Sequence, residues 1–333
     1  MRVLLGGASG AIGRHLVPLL VNAGHSVIGL TRTSGSLAST GAKEVVVDIL
    51  DRDALLAAVA DIKADAVMHQ ATALRKTPVS FRDMRATNRL RTEGTSALLA
   101  VARLVGAKKF IAASFFGGYG LRDLGRTPLD EAAHFGEPDE HNPKNDAVLI
   151  ALRSLEQQTR AFGGVVLRYG LIYDSIATTV SPVSRSWTGV LPMLHVEDAA
   201  AAAVLALTKG KPGKVYNVAD DSPMSYRNRE IARASAAGLK PPTQLPDSVV
   251  RIAAPFGSQL LTSTRIELSS AAIRKELGWK PKYPSLIDGL AKQSAPALVA
   301  VGGTASVPTA TAPIPVTPIA ARTSTEFDGT VAS

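Results

Sequence analysis

Short runs of apolar and β-branched residues alternate along the chain with longer stretches whose apolar positions recur every three or four residues. The short runs predict strands at residues 2–5, 26–30, 44–48, 65–70, 108–113 and 165–168. The helical spacing predicts helices over 11–23, 52–60, 82–105 and 147–162. Strands alternating with helices at this interval make βαβ units, and therefore an α/β fold with a doubly wound parallel sheet. The strands are almost wholly apolar, as they must be when helices cover both faces of a sheet.

Past residue 170 the alternation loosens. A loop-like stretch covers 175–189, strands are expected near 190–196 and 214–218, and an alanine-rich helix begins at Glu197 and Asp198, whose carboxylates suit a helix N-terminus. Three shorter helices follow near 226–236, 248–253 and 270–277. The expected division is a nucleotide-binding core over 1–170, the remaining strands and a small substrate lobe over 171–294, and a disordered tail over 295–333. The tail holds Pro296, Pro308, Pro313, Pro315 and Pro318 among Ala, Thr and Val, a composition that cannot bury a core.

Composition narrows the function classes. Hydrophobic residues make up 46% of 333, ample for a core. With no cysteine, disulfides, thiol nucleophiles and thiolate metal sites are excluded. The longest apolar run, 199–207, is too short to span a membrane, and the N-terminus offers no signal-peptide core, so a cytoplasmic protein is expected. The net charge is +9. Between Arg75 and Arg91 stand Arg75, Lys76, Arg82, Arg85, Arg89 and Arg91 against Asp83 alone. Arg82, Arg85 and Arg89 share one helical face. A solvated face is the plainer reading than nucleic-acid binding, since only Phe81 interleaves as an aromatic.

The sharpest motif follows the first strand. Gly6-Gly7-Ala8-Ser9-Gly10-Ala11-Ile12-Gly13 spaces Gly7, Gly10 and Gly13 three apart, after a strand and at the opening of a helix. A pyrophosphate needs backbone without a Cβ in its way, and the helix N-terminus supplies free N–H groups and positive dipole. Pro18 within that helix is expected to bend it. The second strand ends at Thr31-Arg32, where an NAD-selective site usually carries a carboxylate; no acid occurs before Glu44. Arg32 matches a 2′-phosphate instead, which favours NADP over NAD. The plainer alternative for Arg32 is a solvated strand end.

With these motifs the chain resembles the short-chain dehydrogenase/reductase superfamily, in its extended or atypical NAD-dependent epimerase/dehydratase branch. The resemblance covers about residues 1–293. It is carried by the glycine turn, Asp48-Ile49, Gln70-Ala71, Asn88, Tyr119-Gly120, Leu167-Arg168, His195-Val196-Glu197-Asp198, Tyr216-Asn217-Val218 and Leu277-Gly278-Trp279-Lys280-Pro281. It implies a Rossmann-type core whose cofactor contacts are Gly7, Ala8, Ser9, Gly10, Ala11, Ile12, Gly13, Arg32, Asp48, Ile49, Gln70, Ala71, Thr72 and Ser114. It also implies a homodimer built on the helices at 82–105 and 147–162, and a small organic substrate of nucleotide-sugar or similar polar type.

The family's catalytic pair is a Tyr and a Lys four residues apart on a helix, the ammonium lowering the phenol's pKa. No tyrosine of this chain has a lysine at that spacing. Placing Glu156 on the family's glutamate puts Val148 at the tyrosine position and Leu152 at the lysine position. Aligning Tyr119-Gly120 puts Phe115 at the serine position, with Ser114 one residue early. Candidate substitute groups are Ser114, Tyr119, Tyr173 and His195, although packing is the plainer reading for the tyrosines and a hydrogen-bonded turn for His195. None of the six histidines falls in a metal-ligand pattern. The expected function is an NAD(P)-dependent oxidoreductase or epimerase/dehydratase-like enzyme lacking the Tyr/Lys pair. The alternative is a catalytically silent NAD(P)-binding sensor or scaffold.

Overall fold

The structure, a computed structural model, describes residues 1–74, 77–137, 143–174 and 180–294. Six strands, β1 (Arg2–Gly6), β2 (Ser26–Thr31), β3 (Lys43–Val46), β4 (Ala66–His69), β5 (Lys109–Phe115) and β6 (Val165–Tyr169), join the edge strand Val215–Val218 in one parallel sheet. Its order is β3–β2–β1–β4–β5–β6 and then the edge strand. The strand order reverses between β1 and β4, and in such sheets the crevice outside the carboxyl ends at that point holds ligands.

Alternation along the strands divides the core. On one face Val3, Leu5, Met68, Ile111 and Leu167 pack with Leu16 and Val17 of helix α1 (Gly13–Asn22). The alanines of the 196–209 helix join them, their small side chains letting that helix lie close to α1. On the other face Leu4, Val67, Phe110 and Ala112 pack with Leu55 of α2 (Arg52–Ala58). The α1 helix runs through Pro18 without a break.

The helix expected over 82–105 is three pieces. Helix α3 (Phe81–Arg89) and helix α4 (Thr95–Val105) are joined by a π-helical turn, Leu90–Gly94. Wide turns of this kind often mark functional sites. Here Gly94 lets Ile49 approach: a Cβ at this glycine would stand 3.3 Å from the Ile49 Cγ2. The Leu90 carbonyl accepts from Nε2 of His69 at 3.0 Å, while Nδ1 of that ring accepts from the Ala71 N–H. This pair of bonds sets the tautomer, and burial pushes the His69 pKa down to about 4. Helix α5 (Pro143–Ala161) and helix α6 (Val196–Lys209) complete the layers.

Beyond β6 lie short strand pairs, β7 (Leu171–Tyr173) with Met193–His195 among them. Five helices follow: Tyr226–Ala236, Asp247–Ala253, Gly257–Thr262, Ala271–Leu277 and Leu286–Ser294. The Leu277-Gly278-Trp279 segment is a clasp. Trp279, 1% exposed, donates from Nε1 to the Asp198 carbonyl, and the Asp198 carboxylate accepts from the N–H groups of Lys282 and Tyr283. Among the described residues no helix is long and apolar enough to cross a membrane. The tail expected to be disordered, together with Arg75, Lys76 and residues 175–179 of the stretch expected to be a loop, falls outside the described residues.

Candidate active site

A cavity of about 710 Å³ opens at the carboxyl ends of the strands. Its wall takes in every residue expected at the cofactor except Ala8 and Gly13: Gly7, Ser9, Gly10, Ala11, Ile12, Arg32, Asp48, Ile49, Gln70, Ala71, Thr72 and Ser114. The glycines do different jobs. Gly7 has a φ of +87°, and a Cβ there would meet the Ala71 backbone at 2.6 Å. Gly13 lies under the turn, where a Cβ would stand 2.2 Å from the Gly7 carbonyl. That glycine lets α1 pack against its own turn and does not reach the cavity. Ala8 is fully buried on the core side. At Gly10 a Cβ would touch only the Gly7 carbonyl, at 3.1 Å, so its open side faces free space. That is the cradle a pyrophosphate needs. Gln70 adds a buried Nε2 with no partner, an unused donor in the cavity wall.

At the β2 end, Arg32 is exposed and lines the cavity. Glu44 is occupied elsewhere: its carboxylate accepts from Thr31 Oγ1 at 3.0 Å and from the Gly35 N–H at 2.7 Å, bracing the loop after β2. Asp48 accepts from the Leu50 N–H at 2.9 Å.

The groups expected to move protons are mostly elsewhere. Of Ser114, Tyr119, Tyr173 and His195, only Ser114 lines the cavity, and its hydroxyl donates away from it, to Glu156 Oε1 at 2.6 Å. Tyr119 is 1% exposed; it donates to Asn217 Oδ1 at 2.9 Å and accepts from Arg168 Nη1 at 2.8 Å. Burial raises its pKa despite the guanidinium beside it. Arg168 lies between the Tyr119 and Phe135 rings and forks onto Glu156, with Nη2–Oε2 at 2.7 Å. Tyr119 therefore does not line the cavity; it closes a structural polar network. Tyr173 donates to the Ser285 carbonyl at 3.0 Å, and burial raises its pKa too. His195 caps α6, its Nδ1 accepting from the Glu197 N–H, and its ring packs between Tyr173 and Tyr283. The turn reading of His195 holds. Tyr169 does line the cavity, but its hydroxyl donates to the Ala199 carbonyl, and burial raises its pKa.

One face of α5 carries Val148, Leu152 and Glu156, one turn apart. Glu156 reaches Ser114, whereas Val148 and Leu152 pack with Met84 and Phe256, both of which line the cavity. The resemblance, which sets these two side chains at the Tyr and Lys positions, implies that they point into the pocket. They instead form an apolar backing behind its wall.

Two buried arginines were not singled out from the sequence. Arg91, 6% exposed, lines the cavity, bonds to Asn88 Oδ1 at 3.3 Å, and has no carboxylate partner among the described residues. Burial pulls its pKa down to about 10. Its spacing separates it from the exposed Arg82, Arg85 and Arg89: it follows Met84 by seven residues and Thr87 by four, on the buried stripe. Arg89 pairs with Glu93, just beyond the basic run. Arg229, 8% exposed, lines the same cavity from the Tyr226–Ala236 helix; nothing in the sequence distinguishes it from its neighbour Arg227.

Comparison with known proteins agrees with this geometry. A profile of the NAD dependent epimerase/dehydratase family matches residues 3–175. A 3-diazoavenalumate denitrifying reductase from Streptomyces sp is 36% identical over 315 residues, covering 88% of this chain and all of that protein. A UDP-glucose 4-epimerase from Mycolicibacterium smegmatis is 27% identical, covering 88% of this chain and 97% of the epimerase. Among solved structures, the UDP-glucose 4-epimerase of Thermotoga maritima with UDP-glucose superposes with a TM-score of 0.72 at 22% identity, over 88% of this chain and 97% of that one. A seven-stranded Rossmann-type sheet, a glycine cradle at its switch point and these matches place the chain in the NAD dependent epimerase/dehydratase family, with NAD(P) as its cofactor class.

Proposed function

We propose that this protein is an NADPH-dependent reductase whose hydride acceptor needs no proton from the enzyme, and that the acceptor is a diazo-substituted aromatic acid, reduced with loss of dinitrogen. One observation carries the reading: the α5 face where the resemblance sets the Tyr/Lys pair bears Val148 and Leu152, packed in apolar surroundings, while Ser114 and Tyr169, which line the cavity, turn their hydroxyls to Glu156 and Ala199. Reduction of a carbonyl must deliver a proton to oxygen. A diazonium carbon makes no such demand. The 36% identity to a denitrifying reductase acting on a diazo compound supports the same chemistry.

The residues that would hold the cofactor are the Gly7–Gly10 turn, with Gln70 Nε2 as a free donor beside it. When bound, NADPH supplies a hydride, two electrons and a proton's mass together. On the substrate, the ring carbon would gain hydrogen with its bonding electron pair as the carbon–nitrogen bond breaks and that bond's own pair leaves with N₂. The chain's own part is positioning and exclusion of water, which can supply several kcal/mol of the barrier. Met84, Phe115 and Phe256 give the reacting end an apolar wall, and Tyr169, with its pKa raised, stays protonated and tied to Ala199. NADP preference rests on the exposed Arg32 at the cavity rim and on Glu44 being engaged by Thr31 and Gly35. The half-exposed Ile150 on α5 and Leu104 on α4 support a homodimer through those helices.

The test is anaerobic incubation with (4-²H)NADPH and a ¹⁵N-labelled 3-diazo-4-hydroxycinnamic acid. The expected result is ¹⁵N₂ in the headspace and deuterium on the ring carbon that bore the diazo group. Dinucleotide binding without transfer would favour a sensor or scaffold. Interconversion of UDP-glucose and UDP-galactose would assign the epimerase chemistry instead.

A further inference from the structure

We infer that Arg229 is the anchor for a carboxylate on the substrate, and that the far end of the cavity selects aromatic carboxylic acids over nucleoside diphosphates. The inference rests on the cavity being the place where dinucleotide and substrate meet, and it is drawn from groups the proposed reduction does not use.

Arg229 is held with one edge engaged and the other unpartnered. Its Nη1 donates to Glu230 Oε1, and the guanidinium carbon stands 5.3 Å from the centroid of the Tyr226 ring, so the plane of the fork is fixed. Nε is buried and has no partner, and Nη2 makes no hydrogen bond among the described residues. The Nε–Nη2 edge is one that forks around a planar oxyanion with two parallel N–H···O bonds. An unsatisfied buried guanidinium nitrogen is unfavourable in the empty protein, and a carboxylate seated on that edge would satisfy it.

Glu230 does not neutralise this end of the cavity. Its carboxylate, fully buried, is shared by Arg229, Arg233 (2.7 Å) and the Ser181 N–H (3.0 Å). Two guanidiniums against one carboxylate leave one positive charge, and Arg91 adds a second buried cation without an acidic partner to the same wall. The field inside the cavity thus favours an anion. The surface between is that of a flat apolar group: Met84, Phe115, Tyr226, Phe256 and Leu260 line it. An aromatic ring carrying a carboxylate fits both features. A nucleoside diphosphate brings two phosphates and ribose hydroxyls, and this wall offers those hydroxyls few partners.

The test measures binding alone, so it does not depend on turnover. The full chain, saturated with NADP⁺, is titrated calorimetrically with trans-4-hydroxycinnamate, its methyl ester and UDP. The acid should bind at least tenfold more tightly than the ester. Arg229→Gln should weaken the acid at least tenfold and leave the ester unchanged, while Arg233 keeps Glu230 paired. Arg229→Lys, which retains charge but not the fork, should recover only part of the loss. Melting temperature and NADP⁺ affinity of each variant report whether the fold and the cradle are intact. Equal binding of acid and ester, equal loss of both in Arg229→Gln, no binding of either, or tighter binding of UDP would overturn the inference. An intact acid preference beside failed hydride transfer would instead overturn the reductase reading and spare the anchor.

Discussion

The two ends of the cavity are built from different materials. The end at β1 and β2 is backbone: Gly7 at positive φ, Gly13 closed over its own turn, and Gly10 with open space where a side chain would be. The far end is side chain: Val148 and Leu152 behind Met84 and Phe256, with Arg91 and Arg229 buried in the wall. A backbone cradle tolerates few residue types, so it survives while the chemistry beside it changes. The far end can change its chemistry without harm to the fold where apolar residues keep the core filled, as Val148 and Leu152 do with Met84 and Phe256.

That contrast can be broken at several points. Glu156→Ala leaves Arg168 buried without its counter-ion and frees Ser114, and should lower stability by about 3–5 kcal/mol in denaturant titration. Far-end damage of this kind is damage to the fold. Gly10→Val should do the opposite, weakening NADP(H) binding by at least about 100-fold at nearly unchanged melting temperature, since its Cβ meets only one carbonyl. If Gly10→Val binds as well as the parent, the cradle lies elsewhere. Arg32→Ala should reduce the NADP-over-NAD preference by about tenfold, consistent with one charge-assisted contact. Equal dissociation constants for both cofactors in the parent would remove the argument. The smallest effect is expected for Arg91→Met. Removing a buried cation with no acidic partner should raise the stability of the ligand-free protein by on the order of 1 kcal/mol while weakening anionic ligands. A destabilised Arg91→Met protein would mean that the guanidinium serves the core.

The same contrast explains what could be read from the sequence. Glycine spacing after a strand reports backbone geometry directly, and the positions at Asp48, Gln70 and Thr72 all come to the cavity. The strands themselves were legible as short apolar runs, because both faces of the sheet are buried. The π-helical turn at Leu90–Gly94 was missed because its residues keep a helical pattern; only the i→i+5 bonding differs. Arg91 was grouped with a solvated face, although its spacing from Met84 and Thr87 set it on the buried stripe. Tyr119 stood as a candidate acid with packing as the plainer reading, and its packing partners, Asn217 and Arg168, come from strands 98 and 49 residues away in sequence. No local pattern carries such information. The helix Leu286–Ser294 was also missed; Gly289 within it weakens the helical signal, and in the structure a Cβ there would meet Tyr173 at 2.6 Å.

The central claim is that hydride leaves this cavity without a proton donor from the chain. Its most direct test is the pH dependence of the single-turnover rate, followed at 340 nm with saturating NADPH and the diazo acid. Tyr169 and Tyr173 are pushed above their ordinary values by burial, and His69 is held neutral with a pKa of about 4, so none of them changes charge between pH 6 and 9. The account predicts a flat rate across that range, the same in Ser114→Ala as in the parent. A rate that falls tenfold per pH unit above a single pKa, and loses that dependence in Ser114→Ala, would show an acid at work in the site and contradict it.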